Sequence, residues 1–278
     1  MAKKAYVGVG GIARKIKKGY IGIGGKARKI KKAYIGVGGV ARPCWSDGLE
    51  YYGTTTPLSK GRYGLAAASV GDYALFGGGY NDWASSVVDA YNASLTRSTP
   101  TALSKERRHL AATAVGSYAL FGGGDDYNNK VTTVDRYNTS LTKGTASALT
   151  VARAYLAATT VGNYALFGGG NEELSSNPVA TVDAYDTSLT RSTPIALSAA
   201  RSGIGATAVG GYALFGGGEL GSGNSAIVDA YDENLTRITL PNLSSARYGL
   251  AATSVGVYAL FGGGSPSASS AIVDVYAA

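Results

Sequence analysis

Tyr164-Ala165-Leu166-Phe167-Gly168-Gly169-Gly170 is one of five identical heptapeptides in this chain, the others beginning at Tyr73, Tyr118, Tyr212 and Tyr258. The steps between copies are 45, 46, 48 and 46 residues, a period typical of stacked or radially repeated supersecondary units. The run Tyr164–Phe167 is apolar on both sides of a strand, as required of a strand sandwiched between two neighbouring sheets.

Working outward from this run gives the whole repeat. Before it stand Arg153, the small-residue stretch Leu156–Val161 and the pair Gly162-Asn163. The equivalent pairs, Gly71-Asp72, Gly116-Ser117, Gly210-Gly211 and Gly256-Val257, all place glycine first, as a type II′ hairpin turn prefers. After the heptapeptide come a variable polar loop, then Val182-Asp183-Ala184-Tyr185, then Leu189-Thr190-Arg191 and a Ser/Thr-rich run ending at Leu197. The pattern predicts four antiparallel strands per repeat: a at Leu156–Val161, b at Tyr164–Phe167, c at Val182–Tyr185 and d at Leu189–Leu197. Such a unit is a β-propeller blade.

The ends of the chain set the closure. The fifth copy stops at Val273-Asp274-Val275-Tyr276-Ala277-Ala278 and lacks strand d, while Glu50–Leu58 before the first copy aligns with the d stretch Leu95–Leu103. The expected fold is all-β: a five-bladed propeller over residues 46–278, closed by its N-terminal strand. A small basic β-hairpin segment over residues 1–45 precedes it.

That segment carries twelve of the 26 Lys and Arg residues and no acid, leaving the rest of the chain at a net charge of about −4. It is a second repeat of period 14, starting at Lys3, Lys17 and Lys31, with Gly10-Gly11, Gly24-Gly25 and Gly38-Gly39 as hairpin turns. A thin ribbon of this kind buries no core by itself. Lys15, Lys17, Lys18, Lys29, Lys31 and Lys32 therefore read as an assembly or docking surface that packs against other copies or sits on an acidic partner. Nucleic acid is the less favoured partner of these cations. Gly8-Val9-Gly10-Gly11-Ile12-Ala13 matches a dinucleotide-binding pattern by letters. Its turn recurs fourteen residues on, however, which leaves no room for the helix that motif needs.

The large repeats, with Arg-x-x-Leu, paired glycines after an apolar strand and a tyrosine in the next strand, resemble the Kelch repeat over residues 48–278. Leu95, Leu141, Leu189 and Leu235 stand where Kelch repeats usually carry a strand-d tryptophan. The basic repeats, with Gly36-Val37-Gly38-Gly39-Val40-Ala41-Arg42 at their core, look like segments at the start of tail-associated proteins of phages and prophages. These resemblances imply a virion protein made in the bacterial cytoplasm.

The residues offer little chemistry. Cys44 has no partner for a disulfide within the chain, and no apolar run is long enough to cross a bilayer as a helix. The start of the chain lacks the apolar core of a signal peptide. His109, the single histidine, falls in the link between two repeats and reads as an exposed surface residue. The rings Arg62, Arg107, Arg153, Arg201, Arg247 and Asp89, Asp135, Asp183, Asp229, Asp274 recur once per repeat, which assigns them to holding blades together. No catalytic group, metal or cofactor is expected. Asp125-Asp126 with Asn128-Asn129 would make at most a weak Ca²⁺ site.

Variation is concentrated in the b–c loops, which place Tyr80, Asn81, Asp82, Trp83, Asp125, Asp126, Tyr127, Asn128, Asn171, Glu172, Glu173 and Glu219 on one face. Aromatic rings with Asx side chains suit stacking on sugar faces and hydrogen bonding to hydroxyls. The sequence thus points to a non-enzymatic tail- or fibre-associated virion protein. Its expected partners are other virion proteins, further copies of itself and a host-surface glycan or protein. The alternatives are an intracellular Kelch-type protein-interaction propeller and a nucleic-acid-associated structural protein.

Overall fold

The computed structural model describes residues 54–172, 177–265 and 269–278, together with the backbone of six strands in the N-terminal segment. All the regular structure it contains is β. The chain divides into two compact units, Met1–Thr54 and Thr55–Ala278.

The N-terminal unit holds three antiparallel hairpins: Tyr6–Val9 with Ile12–Lys15, Gly19–Ile23 with Lys26–Ile30, and Lys32–Val37 with Val40–Ser46. The third hairpin shifts register between Ala33 and Tyr34, so that Tyr34 pairs with Pro43 and Ala33 with Trp45, leaving Cys44 as a bulge. Proline has no N–H for a ladder, and a bulge is where a strand tolerates it. Lys17, Lys18 and Lys31 lie outside the described residues. Lys15, Lys29 and Lys32 are placed as backbone only.

The second unit contains four antiparallel sheets of four strands and a fifth of three. In the third sheet strand a is Ala157–Val161, b is Tyr164–Gly168, c is Val182–Tyr185 and d is Arg191–Ser192. Strand a of each sheet packs on strand a of the next. The a–b turns are tight, with Gly71, Gly116, Gly162, Gly210 and Gly256 at φ of 53°, 52°, 51°, 55° and 59°.

Period-two alternation explains why strand b is apolar on both sides. In the second sheet Leu120 packs toward the third sheet, in a cluster with Ala165, Phe167 and Tyr185. Ala119 and Phe121 face the other way and join Leu75, Val88 and Ala90 of the first sheet. Four such core layers lie between the five sheets. The first glycine of the first four heptapeptides makes room for the neighbour's phenylalanine: a Cβ on Gly168 would sit 2.9 Å from Phe215 Cε1. The second glycine stands at φ of 63–71°, and in the first four sheets it lies against a backbone carbonyl of the next link. For Gly169 that carbonyl belongs to Arg201, which a Cβ would approach to 2.5 Å.

One expectation is corrected. Strand d is far shorter than Leu189–Leu197. Asp186 Oδ1 accepts the N–H groups of Ser188 and Thr190 and builds a side-chain-capped turn. Within that turn Leu189 takes a left-handed φ of 64°, as Leu95, Leu141 and Leu235 do at 61–62°. These leucines are therefore turn residues, and Leu141, Leu189 and Leu235 pack onto the core from there. Beyond Ser192 the chain leaves its sheet, and Tyr231 of the next one donates its hydroxyl to Ile195 O at 2.9 Å.

The expected closing strand is only partly described. Glu50–Gly53 lie outside the described residues, and Thr54–Leu58 form no strand. The alignment that suggested a strand does hold for side-chain contacts. Tyr91 donates to Thr56 O at 2.7 Å just as Tyr137 donates to Thr101 O at 2.6 Å. Among the described residues, the last strand, Val273–Ala277, pairs on one side only.

Candidate functional site

Two sets of polar residues recur at the sheet joints, and their geometry differs in kind. The first is the Arg–Asp ring. Arg153 Nη2 lies 2.8 Å from Asp183 Oδ2 and donates to Phe167 O at 3.0 Å, all in the third sheet. Its backbone carbonyl accepts from Gly124 N of the second sheet at 2.9 Å. One residue thereby stitches two sheets together. Arg62, Arg107, Arg201 and Arg247 repeat the ion pair at 2.6–2.9 Å with side chains wholly shielded from solvent. Each Asp partner also receives the backbone N–H of the link, as Asp183 does from Thr150 and Asp229 from Ser198. Burial lowers the Arg107, Arg153 and Arg201 guanidinium groups below their usual value, against the pull of their carboxylates. The arginine side chains of this set are enclosed, and of the carboxylates only that of Asp274 is partly exposed, at 16%.

The second set lies one and two residues further along each link. Tyr63, Arg108, Ala154, Ser202 and Tyr248 each pair through their backbone with the first residue of a b–c loop: Tyr80, Asp125, Asn171, Glu219 and Ser265. The following residues, Gly64, His109, Tyr155, Gly203 and Gly249, all take left-handed φ between 52° and 64°. They also form a bonded row. His109 N donates to Gly64 O, Tyr155 N to His109 O, Gly203 N to Tyr155 O and Gly249 N to Gly203 O, at 2.9–3.0 Å.

On this regular frame one region breaks the repeat. Arg108 Nε and His109 Nδ1 both contact Asp125, at 2.9 Å on Oδ1 and 2.8 Å on Oδ2. The Arg108 guanidinium lies 5.0 Å from the Tyr80 ring centre and 4.1 Å from that of Tyr127, a cation–π arrangement. The two phenols bond to each other at 2.9 Å, and Tyr63 meets Tyr80 edge-on at 5.1 Å. His109 stacks on Tyr155 at 4.0 Å and 20°. Its Nε2 sits over Gly64, 3.7 Å from where a Cβ there would lie. His109 is thus no loose surface side chain, contrary to the expectation from its position: Asp125 and Tyr155 clamp it.

Of the loop residues singled out from sequence, Tyr80, Asp125 and Tyr127 come together in this cluster. Asp126 is occupied locally, its Oδ1 accepting Asn128 N and Asn129 N at 3.1 and 2.7 Å. Asn81, Asp82 and Trp83 form a short hairpin turn with Asp82 at φ 60°, and Trp83 is 75% exposed. Asn171 is buried, whereas Glu172 and Glu219 are exposed. Glu173 lies outside the described residues. Among the described residues no group of three or more His, Cys, Asp and Glu side chains converges as a metal site.

Sequence reading missed Tyr63, Arg108 and Tyr155. The signal was available in phase. Tyr63 and Arg108 follow the invariant arginines by one position, where the other copies hold Ala154, Ser202 and Tyr248, and Tyr155 follows by two, where the others hold glycine or His109.

The electrostatics are self-contained. Burial opposes ionisation of Asp125, but hydrogen bonds from His109 and Arg108 outweigh it and hold the carboxyl below its ordinary value. The bond from Tyr127, followed by burial, raises the Tyr80 hydroxyl. Because the Asp125 value is lowered on folding, the contact contributes stability above the usual carboxylate value of 3.8. That contribution is lost as pH falls through the lowered value. Urea midpoints of wild type and Asp125→Asn should therefore differ at pH 7 and converge in acid. A gap that stays constant down to pH 2 would show that the carboxylate charge plays no part.

What remains at the surface is aromatic: Tyr63, Tyr127 and Tyr155 are 62%, 43% and 44% exposed around a neutralised Arg–Asp–His core. Such a surface stacks on flat or weakly polar ligand faces. Searches against protein-family models and against curated proteins found nothing that matches this chain.

Proposed function

We propose that the chain is a non-enzymatic display protein, a tail- or fibre-associated virion component that binds a host-surface glycan or protein. In this reading the sheets are the blades of a five-bladed Kelch-like propeller. The basic hairpins are the segment that docks on other virion proteins.

One observation carries the binding assignment. The scaffold repeats its ion pairs, turns and core layers at every internal joint, yet Tyr80, Arg108, His109, Asp125, Tyr127 and Tyr155 break the repeat together in one contiguous surface, with Tyr63 edge-on to Tyr80. Drift alone scatters changes. Here six of them interlock through bonds and ring contacts. A binding role suits the chemistry better than catalysis, because His109 spends Nδ1 on Asp125 and turns Nε2 toward a glycine. A hydrolytic site would set a nucleophile there.

The test is binding of the full chain to whole bacterial cells and to a glycan array, beside Tyr127→Ala and Tyr155→Ala. Wild type should bind and each variant should lose about two- to tenfold, the scale of one lost aromatic stacking contact. Absence of binding on both platforms removes the receptor role. Capture of a defined soluble protein through the same tyrosines would favour the Kelch-type interaction reading.

A further inference from the structure

At the candidate surface the rings meet solvent and the charges do not. Tyr63, Tyr127 and Tyr155 are 62%, 43% and 44% exposed. The Arg108 and His109 side chains are 19% exposed, and that of Asp125 only 7%. Arg108 donates Nε–H to Asp125 and lies against the Tyr80 and Tyr127 rings. His109 places Nδ1 on the same carboxylate and one ring face on Tyr155. Lys130, whose backbone bridges to Asp125 in the same loop, is engaged as well. The one guanidinium of the cluster is thus balanced by its one carboxylate, and both are covered.

The neighbouring positions do not restore a positive charge. Further along the links stand Ala154 and Ser202, and the b–c loops expose Asp82, Glu172 and Glu219. Among the described residues, the exposed link lysines Lys60 and Lys105 take no part in the ring and ion contacts of the cluster. Recognition of an anion calls for a reachable Arg or Lys to bond it. An anion arriving here would meet exposed carboxylates, and that repulsion grows as water is displaced. A protein-binding patch combines aromatic anchors with aliphatic or methionine side chains and an accessible arginine. This cluster has no aliphatic member, and its arginine is covered.

We infer that this surface takes an uncharged sugar chain and has no subsite for an anion. The inference rests on the binding role proposed above and narrows its ligand. Apolar faces of neutral hexose or N-acetylhexosamine rings stack on Tyr63, Tyr127 and Tyr155, and the phenol groups exchange hydrogen bonds with sugar hydroxyls. Sialylated, uronate-bearing and phosphorylated chains are rejected, because Asp125 already holds both groups that could bond their anions. Asp125 is therefore a specificity-determining residue that acts through Arg108.

The test measures the full chain on arrayed neutral, sialylated and uronate-bearing glycans, at low salt and at about tenfold higher salt. Tyr127→Ala and Tyr155→Ala run beside it, because the basic N-terminal segment also attracts anionic glycans. The signal that these variants lose belongs to the aromatic surface; the signal they keep belongs elsewhere. The tyrosine-dependent part should fall on neutral glycans, change less than about twofold with salt, and be at least about tenfold weaker on the anionic ones. Asp125→Asn, shown folded by circular dichroism, leaves the Arg108 charge unbalanced. Its tyrosine-dependent signal should extend to the anionic glycans and weaken with salt, and a folded variant that still rejects them would overturn the role assigned to Asp125. Tyrosine-dependent binding of wild type to anionic glycans would overturn the inference while leaving the receptor role standing. So would tyrosine-dependent binding to cells that protease treatment abolishes, with blank glycan arrays. Absence of tyrosine-dependent binding to glycans and cells alike would overturn the receptor role and this inference with it.

Discussion

Gly168→Val should lower the unfolding free energy by about 3 kcal/mol, the upper part of the range for over-packing a close-packed interior. The new side chain would start 2.9 Å from Phe215 Cε1 and 3.1 Å from Cδ1. Phe215 is fully buried and has no space to retreat into. Urea titration followed by circular dichroism measures the change. Gly262→Val is the matched control, the same residue type in the same strand position without a phenylalanine above it. It should cost almost nothing in the isolated chain. Equal losses at the two sites would mean that strand propensity, and not the glycine–phenylalanine fit, sets the price at this position.

The second large effect belongs to the enclosed ion pairs. Asp183→Ala should destabilise by about 4 kcal/mol, because it strands a buried guanidinium without its counter-charge. Arg153 and Asp183 side chains are both 0% exposed. The link N–H of Thr150 also loses its acceptor. The same substitution at Asp274, whose side chain is 16% exposed, should cost less, since water reaches the abandoned Arg247 more easily. Replacing both partners, Arg153→Met with Asp183→Leu, should recover part of the loss. Full recovery is not expected, because Phe167 O would still lack the donor it has in Arg153. A double variant no better than Asp183→Ala would show that the guanidinium–carbonyl bond outweighs the ion pair.

These effects explain why the architecture was legible in the sequence. Glycine spacing, the doubly apolar strand b and the recurring Arg and Asp are all consequences of one joint made again and again. Repetition therefore exposes the constraint directly. Strand c, Val182–Tyr185, was read to the residue for the same reason. Strand d was read too long because its limits are set by side-chain capping at Asp186 and by contacts with the next sheet, neither of which leaves an apolar periodicity. The left-handed leucines were illegible too. Propensity assigns that conformation to glycine or asparagine, and capping by Asn138 or Asp186 together with tertiary packing holds Leu141 or Leu189 there.

The candidate site was half legible. Loop variability identified Tyr80, Asp125 and Tyr127, but their partners Arg108 and Tyr155 sit on the links. There the neighbouring arginines drew attention to the framework and away from the position beside it. Asn128 and Glu219 were included because their residue types suit sugar binding, and the structure gives them no part in the cluster. Composition marked the end of each sheet at which the cluster lies. It could not say which side chains would meet.

The row Gly64, His109, Tyr155, Gly203 and Gly249 carries a consequence for how this molecule diversifies. Its backbone bonds ask nothing of the side chain, and three of the five places have none. A Cβ at Gly203 would find its nearest atom at 3.6 Å, and one at Gly249 would find none within 4 Å. A non-glycine residue there costs about 1–2 kcal/mol for its left-handed φ, a toll that His109 and Tyr155 already meet. The array is in effect a keyboard. Five keys can be recut one at a time while the strings beneath stay in tune, so the exposed end of these sheets can change its side chains without relearning how to fold.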